Sequence, residues 1–217
     1  GSLTWALWLL VTCAQDPGYL MPSGGHQRQE DEEELLAHML PPPAEQRTAP
    51  GPPGPGAVAV PLRWCERCRL VQPRRTRHCK LCGLCVRTFD HHCFWIGGCV
   101  GERNHRHFFI MIAAWATMLL WHCRLLLACG EGNAADPLKW LSASWPVVCV
   151  LGVVMAAVGL IAMLLTYHAF LIATAQTTWE HMCRQEIDYL RSFPRTVHPF
   201  SRGAVANAVA FFSGGGR

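Results

Sequence analysis

Before Phe108 the sequence has no apolar run long enough to cross a bilayer. The longest early run, Leu3–Ala14, has twelve residues, against the ~20 that a spanning helix needs. It also lacks a basic N-terminal flank, which argues against a secretory signal peptide. No ankyrin-type repeat or other recruiting domain is recognisable, so nothing in the chain names a protein substrate. Basic residues are almost missing from Gly130–Ser144, where Lys139 stands alone. Cysteine, by contrast, is abundant, at 12 of 217 residues. Such a count fits either a disulfide framework or metal sites. Histidines interleaved with Cys-x2-Cys pairs read as metal sites in reducing surroundings. The chain is 51% apolar with a formal net charge of +4. Its length allows one or two domains. The apolar residues are unevenly spread, and the average hides a membrane protein.

The chain is organised around Cys65–Cys99, where seven cysteines and three histidines fall within 35 residues. The order is Cys65-x2-Cys68-x9-His78-Cys79-x2-Cys82-x2-Cys85-x4-Asp90-His91-His92-Cys93-x5-Cys99. A tight turn between two cysteines of such a pair aims both sulfurs at one ion. Structural zinc takes four Cys or His ligands in a tetrahedron. Two closed sites would use eight of the ten groups, and the count alone does not say which two are spare.

The Asp90-His91-His92-Cys93 tetrapeptide resembles the signature of the DHHC-family protein S-acyltransferases, the palmitoyltransferases. Pro73-x-Arg75-x2-His78-Cys79 and Cys99-Val100-Gly101-x2-Asn104-x3-Phe108 fit the same family pattern. The resemblance implies one zinc on Cys65, Cys68, His78 and Cys85, and a second on Cys79, Cys82, His92 and Cys99. It implies Cys93 as nucleophile, His91 as general base and Asp90 as the group that orients the base. The family generally has Pro-Trp after this tetrapeptide and Asn before the last cysteine. Phe94-Trp95 and Gly98 stand there instead.

The fold class this implies is an all-α polytopic membrane protein carrying a small zinc-stabilised, cysteine-rich cytosolic domain of short hairpins and loops. Asp16-Pro17-Gly18 resembles the motif that follows the family's second transmembrane helix, so residues 1–15 are expected to be the end of that helix, with the chain starting inside it. Residues 16–62 read as a cytosolic linker. It holds the acidic run Glu30–Glu34, a possible helical turn at Leu35–Leu40, and eight prolines between Pro41 and Pro61. Residues 63–107 form the zinc-binding catalytic domain, 108–128 a transmembrane helix, 129–146 a lumenal loop, 147–171 a second helix and 172–217 a cytosolic tail. A module the size of 63–107 cannot bury enough apolar area alone, so metal substitutes for a core.

Details of the spans refine this. His122 and Arg124 near the end of the first are expected to snorkel to the interface. Cys123 and Cys129 read as small apolar residues. Asp136-Pro137 signals a turn, and Trp140 and Trp145 suit an interfacial belt. Gly152, Ala156, Ala157 and Gly159 predict close helix packing in the second span, with Tyr167 and His168 marking its exit. Twelve Lys/Arg lie between Asp16 and His107, one in the short loop and five after Phe170. The long segment and the tail should therefore be cytosolic. Arg63, Arg67, Arg69, Arg74, Arg75, Arg77, Lys80, Arg87, Arg103 and Arg106 would suit nucleic acid, anionic headgroups or coenzyme A phosphates, and the adjacent spans favour the last two.

In the tail, Thr177-Thr178-Trp179-Glu180 resembles the family's Thr-Thr-x-Glu motif, and His198–Phe212 its C-terminal segment. From the residues alone, Thr177 and Thr178 read as a helix cap. Asn207 reads as an ordinary polar residue on an amphipathic helix whose buried side is Val205, Ala208, Val209 and Phe212.

The resemblance implies transfer of a long-chain acyl group from acyl-CoA, through Cys93, to cysteines of substrate proteins. One thioester is exchanged for another, so the energy difference is small. A thiol is mostly protonated near neutral pH and needs a base. His91, two residues away in an extended segment, can reach the same side as Cys93, and Asp90 can steady its imidazolium. The implied partners are palmitoyl-CoA or a similar acyl-CoA, protein cysteines at the cytosolic face and the bilayer, without nucleic acid. The family suggests a Golgi or endoplasmic reticulum membrane. An alternative is a membrane-anchored zinc scaffold, RING-like or an inactive acyltransferase fragment. It leaves the spare His and Cys beside an Asp unexplained.

Overall fold

Cysteine pairs two residues apart leave room only for short strands joined by tight turns, and the architecture follows. The structure, a computed structural model, describes residues 7, 11–12, 14–21, 63–128 and 136–214. The expected helix end at 3–14 lies largely outside these residues. The linker's acidic and proline runs, its turn at Leu35–Leu40 and Cys129 lie wholly outside them.

Strand β1 (Tyr19–Leu20) joins the edge of β5 (Leu84–Val86), whose other edge pairs antiparallel with β4 (Arg77–Cys79). β2 (Arg63–Cys65) pairs with β3 (Leu70–Gln72), and β6 (His91–Cys93) with β7 (Gly98–Val100). The registers set cysteine opposite histidine: His78 faces Cys85 across one hairpin and His92 faces Cys99 across another. The hairpin tips close on the Cys-x2-Cys pairs. Arg69 N–H donates to the Cys65 carbonyl at 2.7 Å and Gly83 N–H to that of Cys79 at 2.9 Å. Both turn residues adopt positive φ, 51° at Arg69 and 72° at Gly83, a conformation that glycine takes without the Cβ penalty.

Three-residue strands bury little by themselves, so the module borrows its core. Cys79, Val86, Phe89 and Cys99 pack with Trp179, Ile187 and Leu190 from the tail. The N-terminal segment is seated by close approach: a side chain at Gly101 would come within 2.6 Å of both the Pro17 carbonyl and Val86. Asp16 accepts from the N–H groups of Gly18 and Tyr19 at 2.9 and 2.8 Å, and Arg103 pairs with it at 2.6 Å.

Two helices are long and apolar enough to cross a membrane, α1 (His105–Ala128) and α3 (Trp145–Ala173). Most of their surface is uncovered and apolar, as a helix in lipid requires. They pack against each other at their module-proximal ends, where Met111 and Ile112 meet Leu164 and Leu165. Farther along, the Cys123 thiol lies 3.6 Å from the Met155 sulfur. Between them α2 (Pro137–Ala143) occupies what was read as loop. Its start follows from Asp136, which accepts from Lys139 N–H at 3.3 Å, and from a proline at the first turn.

Three expectations change here. Gly152 and Gly159 have open space around them, so these two glycines mark no helix contact among the described residues. α3 runs five residues past His168, which is buried rather than at an exit. In α5 (Ala204–Ser213) the predicted faces are inverted: Val205, Val209 and Phe212 are exposed, while Asn207 and Phe211 are buried. The reason is polar. Asn207 Nδ2 donates to the Ala173 carbonyl at 2.7 Å, satisfying an open end of α3, and its Oδ1 accepts from Arg202 N–H at 2.9 Å.

Candidate active site and metal centres

The hairpins gather the sulfur and imidazole groups into two tetrads. Cys65, Cys68, His78 and Cys85 form one; Cys79, Cys82, His92 and Cys99 form the other; in each, the ligand atoms lie within 4.8 Å of one another. His78 Nδ1 stands 3.6, 3.2 and 3.9 Å from the sulfurs of Cys65, Cys68 and Cys85. His92 Nδ1 stands 3.5, 3.3 and 3.7 Å from those of Cys79, Cys82 and Cys99. A zinc tetrahedron, with Zn–S about 2.3 Å and Zn–N about 2.0–2.1 Å, has S–N edges of about 3.5 Å. Both tetrads fit such an ion in size and in donor chemistry. Each also has a donor behind it: Gln72 Nε2 donates to Cys85 Sγ and the Tyr19 hydroxyl to Cys82 Sγ, both at 3.2 Å.

The two groups outside the tetrads share a strand with a ligand. β6 carries His91, His92 and Cys93 in extended backbone, where alternate side chains take opposite faces. His92 therefore turns to the metal tetrad, and His91 and Cys93 turn together to the other face. Cys93 is 5% exposed and begins a 3-10 turn, Phe94–Ile96. Burial raises the Cys93 thiol, but the hydrogen bond and charge of His91 and the N–H groups of Ile96 and Trp95 outweigh it and leave the thiol below its ordinary value. Burial lowers His91 as well, yet the Asp90 hydrogen bond and the Cys93 sulfur raise it to about 9. Each group thus favours the charged form of the other, an arrangement that can supply a nucleophile.

Asp90 is fully buried and densely satisfied. Its Oδ2 accepts from His91 Nδ1 at 2.7 Å and from the Thr178 hydroxyl at 2.8 Å; its Oδ1 accepts from Thr178 N–H at 2.8 Å. Burial alone would raise this carboxyl. His105 and His91 hold it well below the usual carboxylate range. Thr177 caps α4 (Thr178–Met182), accepting from Glu180 N–H at 3.2 Å, while Glu180 accepts from Thr177 N–H at 2.9 Å. The cap reading of Thr177 therefore stands, and Thr178 does more, reaching the acid across 88 residues.

The same short helix is bolted to the hairpin module. Arg75 donates from Nε and Nη2 to the two oxygens of Glu180, both at 2.7 Å, and from Nη2 to the Ala175 carbonyl at 3.0 Å. The Tyr189 hydroxyl donates to Glu180 Oε1 at 3.0 Å, and the Phe200 ring lies 4.4 Å from the guanidinium carbon. Arg75 is 4% exposed, so it is withdrawn from the basic surface expected to meet phosphates. A guanidinium buried and paired bidentately inside the protein is not presented to an anion at the surface. Arg63, Arg67, Arg69, Arg74, Lys80, Arg87 and Arg103 stay exposed. His105, which no sequence motif singles out, and His168, which reads from sequence only as the exit of a span, lie beside Asp90. The signal that could have found His168 is an ionisable residue inside an apolar span.

A cysteine–histidine–aspartate cluster on a double cysteine-rich metal scaffold, set at the ends of two membrane-length helices, defines the class: a membrane-associated enzyme of thiol chemistry. The DHHC palmitoyltransferase family model matches residues 59–185. The human protein named palmitoyltransferase ZDHHC12 is 37% identical over 216 residues, covering 99% of this chain and 71% of that protein. The mouse protein of the same name is 36% identical over 209 residues, covering 96% and 70%. A zebrafish (Danio rerio) protein named palmitoyltransferase ZDHHC12-A is 41% identical over 153 residues, covering 70% and 56%. The chain belongs to the DHHC palmitoyltransferase family, and its activity is protein S-palmitoylation.

Proposed function

We propose that Cys93 is the acyl carrier of this reaction and that transfer proceeds in two steps. In the first, the Cys93 thiolate attacks the thioester carbonyl of a long-chain acyl-CoA. The carbonyl–sulfur bond to coenzyme A breaks, a new one forms to Cys93, and coenzyme A leaves as its thiol, taking the proton that His91 holds. In the second, His91 removes the proton of a substrate cysteine, whose sulfur displaces acyl from Cys93. Asp90 keeps the His91 imidazole oriented with Nδ1 engaged, so the other ring nitrogen serves the reaction. The observation that carries this reading is the Asp90 Oδ2–His91 Nδ1 hydrogen bond, at 2.7 Å, with His91 and Cys93 on the same face of β6. Two structural zincs, held by the Cys65/Cys68/His78/Cys85 and Cys79/Cys82/His92/Cys99 tetrads, would fix β6; with four protein ligands each, they have no open position for substrate.

The cellular setting belongs to the same proposal. Helices α1 and α3 cross the membrane. The hairpin module, the 16–62 linker and the 172–217 tail face the cytosol, with residues 129–146 lumenal. The skewed distribution of basic residues supports this orientation. A Golgi or endoplasmic reticulum membrane is proposed from the family alone. Phe94 and Trp95, 87% and 73% exposed beside the nucleophile, suit contact with the acyl chain or the membrane interface. The test is labelling of the purified chain with a palmitoyl-CoA analogue beside Cys93→Ser. Hydroxylamine-sensitive label on the parent chain alone is expected. Label surviving in Cys93→Ser would put the acyl carrier elsewhere.

A further inference from the structure

His168 is an ionisable side chain inside an apolar helix, and the mechanism above leaves it idle. It is 3% exposed in α3. Such a group is expensive in a membrane span and is retained where it has a partner and a task. Its partner is His105, the first residue of α1, which is fully buried. His168 Nδ1 stands 3.3 Å from His105 Nε2, and that same Nε2 stands 3.8 Å from Asp90 Oδ1. The His168 ring also lies 6.2 Å from that of His91 and 5.2 Å from that of Phe108.

We infer that His168 is a positioning residue for acyl transfer: it holds His105 at its distance from Asp90, and so fixes the carboxylate that orients His91. The inference rests on the roles proposed above for Cys93, His91 and Asp90. Its argument is one of lone pairs. Asp90 Oδ2 is taken by His91 and the Thr178 hydroxyl, and Oδ1 by Thr178 N–H. The remaining side of Oδ1 faces His105 Nε2. A lone pair on that nitrogen would repel the carboxylate, so it carries a hydrogen. His168 Nδ1 must then accept, which sets the hydrogen of a neutral His168 on Nε2. At 3.8 Å the His105–Asp90 contact is too long for a hydrogen bond, whereas 3.3 Å to His168 is within reach. The His168 acceptor thus keeps the His105 donor from closing on Asp90. Without it, His105 swings to the carboxylate and draws it off His91. Because His105 opens α1 and His168 lies in α3, the contact also ties both apolar helices to the acid.

The crossed geometry of the contact supplies the test. An asparagine amide lies near where Nδ1 of histidine sits, and a glutamine amide near Nε2. Using the full chain in lipid nanodiscs, the initial rate of hydroxylamine-sensitive labelling at saturating palmitoyl-CoA analogue is measured, with zinc content as a check on folding. His168→Ala is expected to slow labelling about 10–100-fold, as displacement of a reacting group does, with two zincs per chain retained. His168→Asn should recover to within about threefold of the parent while His168→Gln stays slow. At position 105 the order should reverse, with Gln recovering and Asn slow. Glutamine better than asparagine at both positions would mean that only bulk matters, and would overturn the inference. So would a parent-like rate in His168→Ala, or a third zinc lost from that variant, which would make Asp90, His105 and His168 a metal site. A parent chain without Cys93-dependent label overturns the catalytic reading itself, a result distinct from all of these.

Discussion

The first tetrad takes His78 and Cys85 from facing strands of one hairpin, and the second takes His92 and Cys99 from facing strands of another. Donor sets, S–N distances and the side-chain donor behind each are nearly the same. What differs is the neighbour of the histidine. His78 is followed by Cys79, a ligand of the other tetrad, so the first site locks onto the second. His92 is flanked by His91 and Cys93, so the second site locks onto the groups proposed to react. On the proposed mechanism, equal coordination chemistry carries unequal consequences: the first centre would hold the module together, and the second would also set the distance across which a proton moves.

The largest effect is expected from removing both ions. Structural zinc contributes about 10–16 kcal/mol per site in small zinc domains, comparable to the whole stability of a typical domain. Chelation should unfold residues 63–107 and abolish labelling, read by loss of zinc and of protease resistance. Single-ligand variants then separate the centres. His92→Ala should release one zinc and leave no measurable label. Cys68→Ser should release one zinc and retain labelling at about a tenth of the parent rate. Equal loss in both would erase the distinction and make the module a single cooperative unit.

Next in size is the clamp that joins the module to the tail. Arg75 is buried with both oxygens of Glu180 on its guanidinium. Removing one partner of such a pair strands the other, at a cost of about 3–5 kcal/mol. Arg75→Ala should lower the Tm of the module by several degrees and slow labelling as Thr178 leaves Asp90. The double variant with Glu180→Gln should be less damaged than the sum of the two, since it leaves no buried charge without its partner. Strict additivity would show that the pair does not act as one.

How far these relations can be read from the sequence depends on range. The tetrads are local: every ligand lies within 35 residues, so spacing suggests two metal sites, and the family resemblance assigns the ligands to each. The apolar spans are legible for the same reason, since composition over a window defines them. The groups that serve Asp90 are not local. Thr178 lies 88 residues away, and Glu180 lies 105 from Arg75. No periodicity reports such pairings, so Arg75 reads as one more surface cation and His168 as a helix boundary. The face of α5 was misjudged for another reason. An amphipathic helix buries its apolar side when the outside is water. Here the apolar residues are outward and the polar Asn207 is inward because the open carbonyl of α3 must be satisfied.

A smaller effect tests the join between the second centre and the tail. Thr178→Val removes the hydroxyl donor to Asp90 Oδ2 and keeps the N–H donor to Oδ1. A hydrogen bond to a charged acceptor is worth about 1.5–3 kcal/mol. Labelling should fall roughly tenfold with both zincs in place. The matching change at the first centre has no catalytic counterpart, because nothing bonded to its tetrad touches Asp90 among the described residues.

The smallest pair of changes compares the centres most directly. Gln72→Leu removes the amide that donates to Cys85, and Tyr19→Phe removes the hydroxyl that donates to Cys82. Such outer partners typically account for about 10–100-fold in metal affinity. Each variant should lose one ion to a competing chelator about tenfold faster than the parent, and each should leave the other ion undisturbed. Labelling separates them: Gln72→Leu should label at the parent rate while loaded with zinc. Tyr19→Phe should label more slowly, because slack at Cys82 passes to His92 and from there along β6 to His91 and Cys93. A Gln72 variant that slows as much as the Tyr19 variant would mean that β4, which carries His78 and Cys79 side by side, transmits strain as well as β6 does. The division between a holding site and a setting site would then give way to one rigid body with two ions.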